Sequence, residues 1–479
     1  MRKHPLTVAL LASCLLVLLC AGVVLANLLD AAQAKPGMVS AREDGVSLHA
    51  GLTQRMVHSG SGSSVGLALT LACDPEPLRE EPAPRNVDLV VVLDRSGSMA
   101  GRKLEDARTA VLELLSHLGP GDRFALVSYA SDVTVHTSLS PVNAQTRPGL
   151  SATAMSLHAG GGTNLGGGLA AGMRILDDAR RMEAGSDAPR DRVCKLILIS
   201  DGHANEGVTD ARALGQMAAL SFGGDFTVTT VGVGVDYNEN LMGTIADFGG
   251  GNYHFLESPS RFAQLFLEEL AQTRAVAAHG LELRLPLPEG VALLDAAGYP
   301  VAMRDGAAVI RPGSLRSGQE RTIFLTLGVS PGDERSFDLS GIELAYELRG
   351  GPGLVRLGGA LELARVADAK LALASVNPEL WEKKTLQEDY NRLRESVSAD
   401  VARGDADAAR AKIDVYRKEK QAMNAQVRSV AVEENITSGL GELERTVEHA
   451  AEGTDELRKR ASKAMQAESY AMRRAKAAP

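Results

Sequence analysis

The sequence predicts an α/β core with a doubly wound, mainly parallel sheet of Rossmann-like type, flanked by a small β-sandwich and followed by a C-terminal α-helical region. Three observations carry this expectation. From Asn86 to about Arg274, short apolar runs alternate with segments of helical period, as in a parallel sheet covered by helices on both faces. From about Ala278 to Val366 the period falls to two, and Pro-Gly pairs punctuate it at 312–313, 331–332 and 352–353, as in a sandwich. From about Asp368 to Ala478 the chain is rich in Ala, Glu, Lys and Arg at helical spacing.

In chain order, 39–73 reads as strands, 66–72 being the clearest, with a Ser/Gly turn over 59–64; a Pro- and Glu-rich stretch over 74–84 reads as a linker. Residues 87–93 form a short apolar run interrupted only by Asp88, suited to a strand buried on both faces. Leu104, Ala107, Val111, Leu114, Leu115 and Leu118 then mark a helix over 103–118. Strands follow at 124–129, 133–137, 193–200, 226–233 and 253–256, and helices at 166–182, 210–222 and 238–247. A closing helix is expected over 258–273, with Pro259 at its first position. In the last region Asn377-Pro378-Glu379 supplies a cap, a first-turn proline and an acid. Gly404 and 439–441 read as breaks, giving two to four helices.

The chain has 479 residues, room for two to four domains at roughly 100–200 residues each. Lys and Arg number 51 and Asp and Glu 60, a formal net charge of −9. That balance lacks the basic field that holds phosphate backbones and argues against a nucleic-acid partner. Hydrophobic content of 44% with 23% charged residues excludes wholesale disorder, and four cysteines exclude a disulfide-dense scaffold.

Arg2 and Lys3 precede an apolar run over 6–29, and Ala32-Gln33-Ala34 stands before Lys35. This fits a secretory signal cleaved after a small residue. The run is also long enough to span a bilayer, so an uncleaved N-terminal anchor is the alternative. Leu11-Ala12-Ser13-Cys14 resembles a bacterial lipobox, but apolar sequence continues past Cys14 where a polar tether belongs. Each reading places the body of the protein outside the cytoplasm: periplasmic, cell-surface or secreted. Cleavage after Ala34 leaves Cys73 and Cys194, and the apolar setting of Cys194 favours a buried thiol over a disulfide. The chain thus divides into a signal or anchor (1–34), strands and linker belonging to the sandwich (35–85), the α/β domain (86–274), the sandwich (278–366) and the helical region (368–479).

Chemistry-bearing residues gather at strand ends. The strand over 87–93 runs into Asp94-Arg95-Ser96-Gly97-Ser98-Met99, and the strand over 193–200 into Asp201-Gly202. Between them, Gly160-Gly161-Gly162-Thr163-Asn164 precedes a helix. In a doubly wound sheet, ligands bind beyond the carboxyl ends of the strands, where such loops converge. Asp94, Ser96, Ser98, Thr163 and Asp201 would then surround one point with hard oxygen donors of low total charge. That suits Mg²⁺, with Mn²⁺ or Ca²⁺ as alternatives and water completing the shell.

Asp-x-Ser-x-Ser, a Thr in a Gly-rich loop and Asp-Gly after a buried strand together resemble the von Willebrand factor type A domain, over about two-fifths of the chain. The resemblance implies a metal-ion-dependent adhesion site. In it Ser96, Ser98 and Thr163 coordinate the ion directly, Asp94 and Asp201 directly or through water, and an acidic side chain of a protein partner often completes the shell.

Plainer readings stand beside these. Asp94 to Ser98 alone would serve as a turn capping the next helix. Gly160 to Gly162 resembles a phosphate cradle but lacks the Gly-Lys-Ser/Thr that would complete one. Arg95 reads as a solvated loop residue, His203 as a surface-loop histidine rather than a rim or catalytic one, Trp381 as a packing anchor, and Asn435-Ile436-Thr437 as a glycosylation match in a helical segment. In the helical region, Leu380, Leu386, Leu393 and Val397 fit either a small bundle docked to the sandwich or a coiled-coil seam. Three functions follow: a metal-dependent module capturing an acidic partner, a cell-envelope scaffold with the α/β domain inserted in the sandwich, or a metal-assisted hydrolase. The last lacks a Gly-x-Ser-x-Gly elbow and a base placed by the sequence, so a non-enzymatic role is expected.

Overall fold

The computed structural model describes residues 38–474, except for 61, 76–85, 185–191, 222–225, 235–236, most of 257–275, and 349–350. The signal, anchor and lipobox readings, most of the linker and the closing helix lie outside the described residues. Among the described residues no helix is long and apolar enough to cross a membrane.

The central layer is a six-stranded sheet in the order β10-β9-β8-β5-β6-β7. Its strands are β5 (Val87–Asp94), β6 (Arg123–Tyr129), β7 (Val133–Pro141), β8 (Val193–Ser200), β9 (Phe226–Val233) and β10 (Gly250–Leu256). All pairings are parallel except β6 with β7. Every residue of β5 and β8 is buried, which explains why both are apolar apart from Asp88 and Lys195 in their interiors and their last residues, Asp94 and Ser200: helices cover both faces. Because β5 lies between β6 and β8, successive crossovers leave it in opposite directions. The crevice beyond β5 and β8 is therefore the switch point of the sheet.

The helices are α1 (Arg102–His117), α2 (Arg147–Met155), α3 (Leu165–Ala184), α4 (Ala211–Ala219) and α5 (Glu239–Phe248). α3 approaches the sheet closely: a Cβ on Gly172 would lie 2.4 Å from Val92 Cγ2 and 2.8 Å from Leu196 Cδ1. α2 was not expected from the sequence. Its Pro148-Gly149 start imitates a turn, but proline is tolerated in a first helical turn, where its missing N–H has no partner to lose.

The β-region draws on both flanks of this unit. β1 (Met38–Glu43), β2 (Val46–Leu52), β3 (Met56–His58) and β4 (Ser63–Cys73) precede it; β11 (Val276–Pro286), β12 (Val291–Asp295), β13 (Val301–Arg304), β14 (Ala307–Arg316), β15 (Glu320–Val329), β16 (Arg335–Asp338), β17 (Glu343–Leu348), β18 (Gly351–Arg356) and β19 (Glu362–Val366) follow it. The main sheets run β1-β2-β4-β15-β12 and β13-β14-β11-β17-β18. β4 and β15 pair antiparallel over ten residues, from Ser63 opposite Val329 to Ala72 opposite Glu320. Side chains from before and after the α/β unit fill one core, among them Leu67, Leu69, Leu71, Ile323, Leu325 and Leu327.

Helical segments complete the chain: α6 (Ala369–Ala374), α7 (Pro378–Lys384), α8 (Tyr390–Arg403), α9 (Ala406–Val427), α10 (Val430–Glu434), α11 (Leu440–Glu452) and α12 (Asp455–Arg474). π-turns over 385–389 and 435–439 join α7 to α8 and α10 to α11, so five continuous stretches replace the two to four expected. The break expected at 439–441 does not occur. Gly439 keeps helical angles (φ −63°, ψ −45°), and its carbonyl accepts from Tyr390 OH at 3.0 Å. The real stops include Gly404 and Arg428, both left-handed. The bundle touches both other regions. Leu380 packs on Ala68 and Phe324 of the sandwich, and Lys463 of α12 donates to the Tyr237 carbonyl at 2.7 Å and to Glu239. Trp381 packs with Val432 and Ile436. Cys73 and Cys194 are buried, and no disulfide joins them.

Candidate metal centre

Backbone hydrogen bonds stitch three loops together at the switch point. After β5 the chain makes a short turn, Gly97–Met99, pinned by fully buried Met99. In it the Gly97 N–H donates to Gly161 O at 3.0 Å, and the Gly160 N–H donates back to Arg95 O at 2.8 Å. Gly161 is left-handed (φ 85°), a conformation that suits glycine. The third loop follows β8: the Asn205 and Glu206 N–H groups donate to Thr163 O at 3.2 and 3.3 Å, and the Thr163 N–H donates to Asn205 Oδ1 at 2.8 Å. The turns carrying Asp94, Ser96, Ser98, Thr163 and Asp201 are thus held together before any ligand arrives.

Asp94 is fully buried, yet its partners are neutral donors: Ser96 N–H at 2.8 Å on Oδ1, and Ser200 Oγ at 2.6 Å and Tyr129 OH at 3.3 Å on Oδ2. Burial pushes its carboxyl above the usual aspartate range, and the negative charge of Asp201 adds to this, against the Ser200 and Ser96 hydrogen bonds. Burial and the Asp94 charge likewise hold Tyr129 well above the ordinary phenol range, so it stays a neutral donor. Ser96 Oγ and Ser98 Oγ lie 3.1 Å apart; Ser96 is buried and Ser98 exposed. Asp201 is fully buried as well. Its Oδ2 accepts from Lys103 Nζ at 3.0 Å, and its Oδ1 has no hydrogen-bond partner among the described residues.

Among the described residues no three His, Cys, Asp or Glu side chains gather as metal ligands. The donor set here is of another kind, two carboxylates and three hydroxyls. Two observations test its fit to a hard cation. Asp201 Oδ1 is a buried, orphaned oxygen, which is costly unless something completes it; Asp94 is a buried carboxylate with no cationic partner among the described residues. A divalent ion supplies what both lack, and hydroxyl, carboxylate and water oxygens suit Mg²⁺, Mn²⁺ or Ca²⁺. The residues fit the group.

Sequence reasoning missed Lys103, Tyr129, Ser200, Asn205 and Glu206. It also missed the contact of Ser128 Oγ with His136 Nε2 at 2.7 Å, which gives a histidine a placed serine after all. Ser128 is fully buried and His136 half-buried. His203 is exposed on the loop after Asp201.

A comparison with protein-family models matches residues 88–270 to the von Willebrand factor type A domain. The chain carries a von Willebrand factor type A domain. Domains of this family commonly serve as protein-interaction modules. Human inter-alpha-trypsin inhibitor heavy chain H4 is 30% identical over 192 residues, covering 39% of this chain and 20% of that protein. YfbK of Escherichia coli is 29% identical over 187 residues, 39% of this chain and 31% of that protein. The likeness to these curated relatives therefore spans only a minor part of their length. Among solved structures, the von Willebrand factor type A protein of Catenulispora acidiphila superposes with a TM-score of 0.59 at 21% identity, covering 85% of this chain and 91% of that one. The ArnB paralog VWA2 of Sulfolobus acidocaldarius gives 0.51 at 15% identity, covering 89% and 99%. These likenesses extend beyond the type A domain and show a shared fold.

Proposed function

We propose that this chain is a non-enzymatic, extracytoplasmic binding module. Its type A domain would hold a divalent cation, Mg²⁺ in the first instance, through Asp94, Ser96, Ser98, Thr163 and Asp201, and would capture an acidic side chain of a protein partner. The orphaned, buried Asp201 Oδ1 carries this reading: a carboxylate oxygen left without a partner at the switch point is a cation ligand in waiting. The bound ion would supply a positive centre for the partner's carboxylate. The chain's own part is to hold the donors. Ser200 and Tyr129 fix the Asp94 carboxyl, Met99 anchors the serine turn, and Asn205 fixes the backbone of Thr163. The exported location rests on the charged start and apolar run of the first 34 residues.

The test is calorimetric Mg²⁺ titration of the wild type beside a variant carrying Asp94→Ala and Asp201→Ala. Saturable binding lost in the variant, with its circular dichroism unchanged, is expected. Equal binding by the two proteins, or none by a folded wild type, would refute the reading.

A second reading is favoured by the ten-residue pairing of β4 with β15, which makes the type A domain an insertion in a β-domain. In it the chain is an envelope scaffold whose type A domain is carried without metal-gated binding. The same titration separates the two.

A further inference from the structure

Lys103 sits in the first turn of α1, and its ammonium lies 3.0 Å from Asp201 Oδ2. The side chain is 27% exposed against 0% for Asp201, so the carboxylate is closed off while the ammonium keeps some contact with water. The lysine stem is also placed. It crosses Gly234 just beyond β9, where φ is 83° and a Cβ would stand 2.7 Å from Lys103 Cε. One oxygen of Asp201 is thereby given to a resident cation and the other left unpartnered.

Formal charge then sets the behaviour of the site. With both carboxylates ionised, as cation ligands are, Asp94 and Asp201 contribute two negative charges and Lys103 returns one, leaving −1. A divalent ion in that setting would leave +1, which a partner's single carboxylate cancels. Without Lys103 the two aspartates would neutralise the ion by themselves, and an incoming carboxylate would add an uncompensated negative charge in a buried place.

We infer that Lys103 is a specificity-determining residue that weakens cation binding on its own and makes the cation and an anionic partner bind together. This rests on the metal-site reading above and goes beyond it: the site is built to require its acidic ligand, rather than merely to accept one.

The test is Mg²⁺ titration of the full chain with and without acetate as the carboxylate probe, on wild type, Lys103→Met, Lys103→Gln, Lys103→Arg and Asp94→Ala. Acetate should tighten Mg²⁺ binding to wild type and to Lys103→Arg. The neutral variants should bind Mg²⁺ alone about tenfold tighter than wild type, as expected for removing a charge one carboxyl group away, and should lose the acetate effect. Equal affinities and equal acetate effects in wild type and Lys103→Met, with binding lost in Asp94→Ala, would overturn the role of Lys103 while leaving the metal site standing. Binding that survives Asp94→Ala, or no binding in any variant, would bring down the site and this inference together. Failure of both neutral variants to fold in Mg²⁺-free buffer would assign Lys103 to folding alone and overturn the inference as well.

Discussion

The Asp94 carboxyl accepts three neutral hydrogen bonds inside a fully buried site, beside a second buried carboxylate. Burial is the larger cause of its raised pKa and the Asp201 charge a further one. A carboxyl raised on folding contributes stability that is fully present below its unfolded pKa and is lost as pH rises through the folded value. Without metal, ionising Asp94 therefore works against the fold. Metal-free Asp94→Asn should unfold at higher urea than wild type at pH 7, with the gap closing as the solution is acidified through that raised pKa. Mg²⁺ at a hundredfold its Kd should stabilise wild type by about 2.7 kcal/mol and leave Asp94→Asn unmoved. Lower stability of the variant at pH 7 would show that the carboxylate serves the fold. The residues named in the sequence were legible because Asp-x-Ser-x-Ser and Asp-Gly each end an apolar run, and the Gly-rich Thr stands just before a helix. Their supports were not. Lys103 reads as an ordinary polar first-turn residue, and Tyr129 as one more apolar strand position. Only Ser200, a polar residue closing an apolar strand, offered a local signal.

Among the elements, α3 and α2 show how one substitution takes opposite signs. Gly172 faces the sheet, where a Cβ would press on Val92 and Leu196, both fully buried strand residues with little room to move. Gly149 lies in α2 with nothing within 4 Å of such a Cβ. Alanine at either site gains up to about 1 kcal/mol in helix propensity, but overpacking a core costs about 1–3 kcal/mol. Gly172→Ala should therefore lower stability by about 1–2 kcal/mol, and Gly149→Ala should raise it by about 0.5–1 kcal/mol, both read from urea midpoints at unchanged slope. Matching shifts in the two variants would mean that α3 does not pack as closely as described. The same contrast limits what glycine says in a sequence. At 439 it marked a helix end that the chain does not make: Gly439 keeps helical angles at the close of a π-turn, and its carbonyl accepts from Tyr390 OH. At 404 it marked a true one, in the left-handed region. Spacing records where a chain is able to turn, while the backbone angles the glycine adopts in the fold decide whether it does.

For the molecule as a whole, the covalent order and the packing order differ. The type A domain builds both of its cores from residues 87–256. The β-region shares its core between residues 46–73 and 278–363. Alternation marks 63–73 as a strand but does not record that β15, some 250 residues later, lies beside it; that register was not legible. The consequence is a folding asymmetry. Val46, Leu48, Leu52, Val65, Leu67, Leu69 and Leu71 are each 2% exposed or less, and burying such a side chain contributes about 1.5–3 kcal/mol. Their sum is comparable to or larger than the whole net stability of a typical domain, about 5–15 kcal/mol. A fragment of residues 276–366 should therefore stay unfolded, with β15 presenting an unpaired edge that favours aggregation, whereas residues 86–275 should unfold cooperatively by themselves. Adding a peptide of residues 38–73 to the first fragment should restore strand dichroism and dispersed amide resonances, because β4 supplies the missing ladder and its apolar face together. Cooperative folding of 276–366 without that peptide would mean that β4 and β2 are dispensable to the core they line. It would also return the type A domain to being a neighbour of the sandwich rather than an insertion within it.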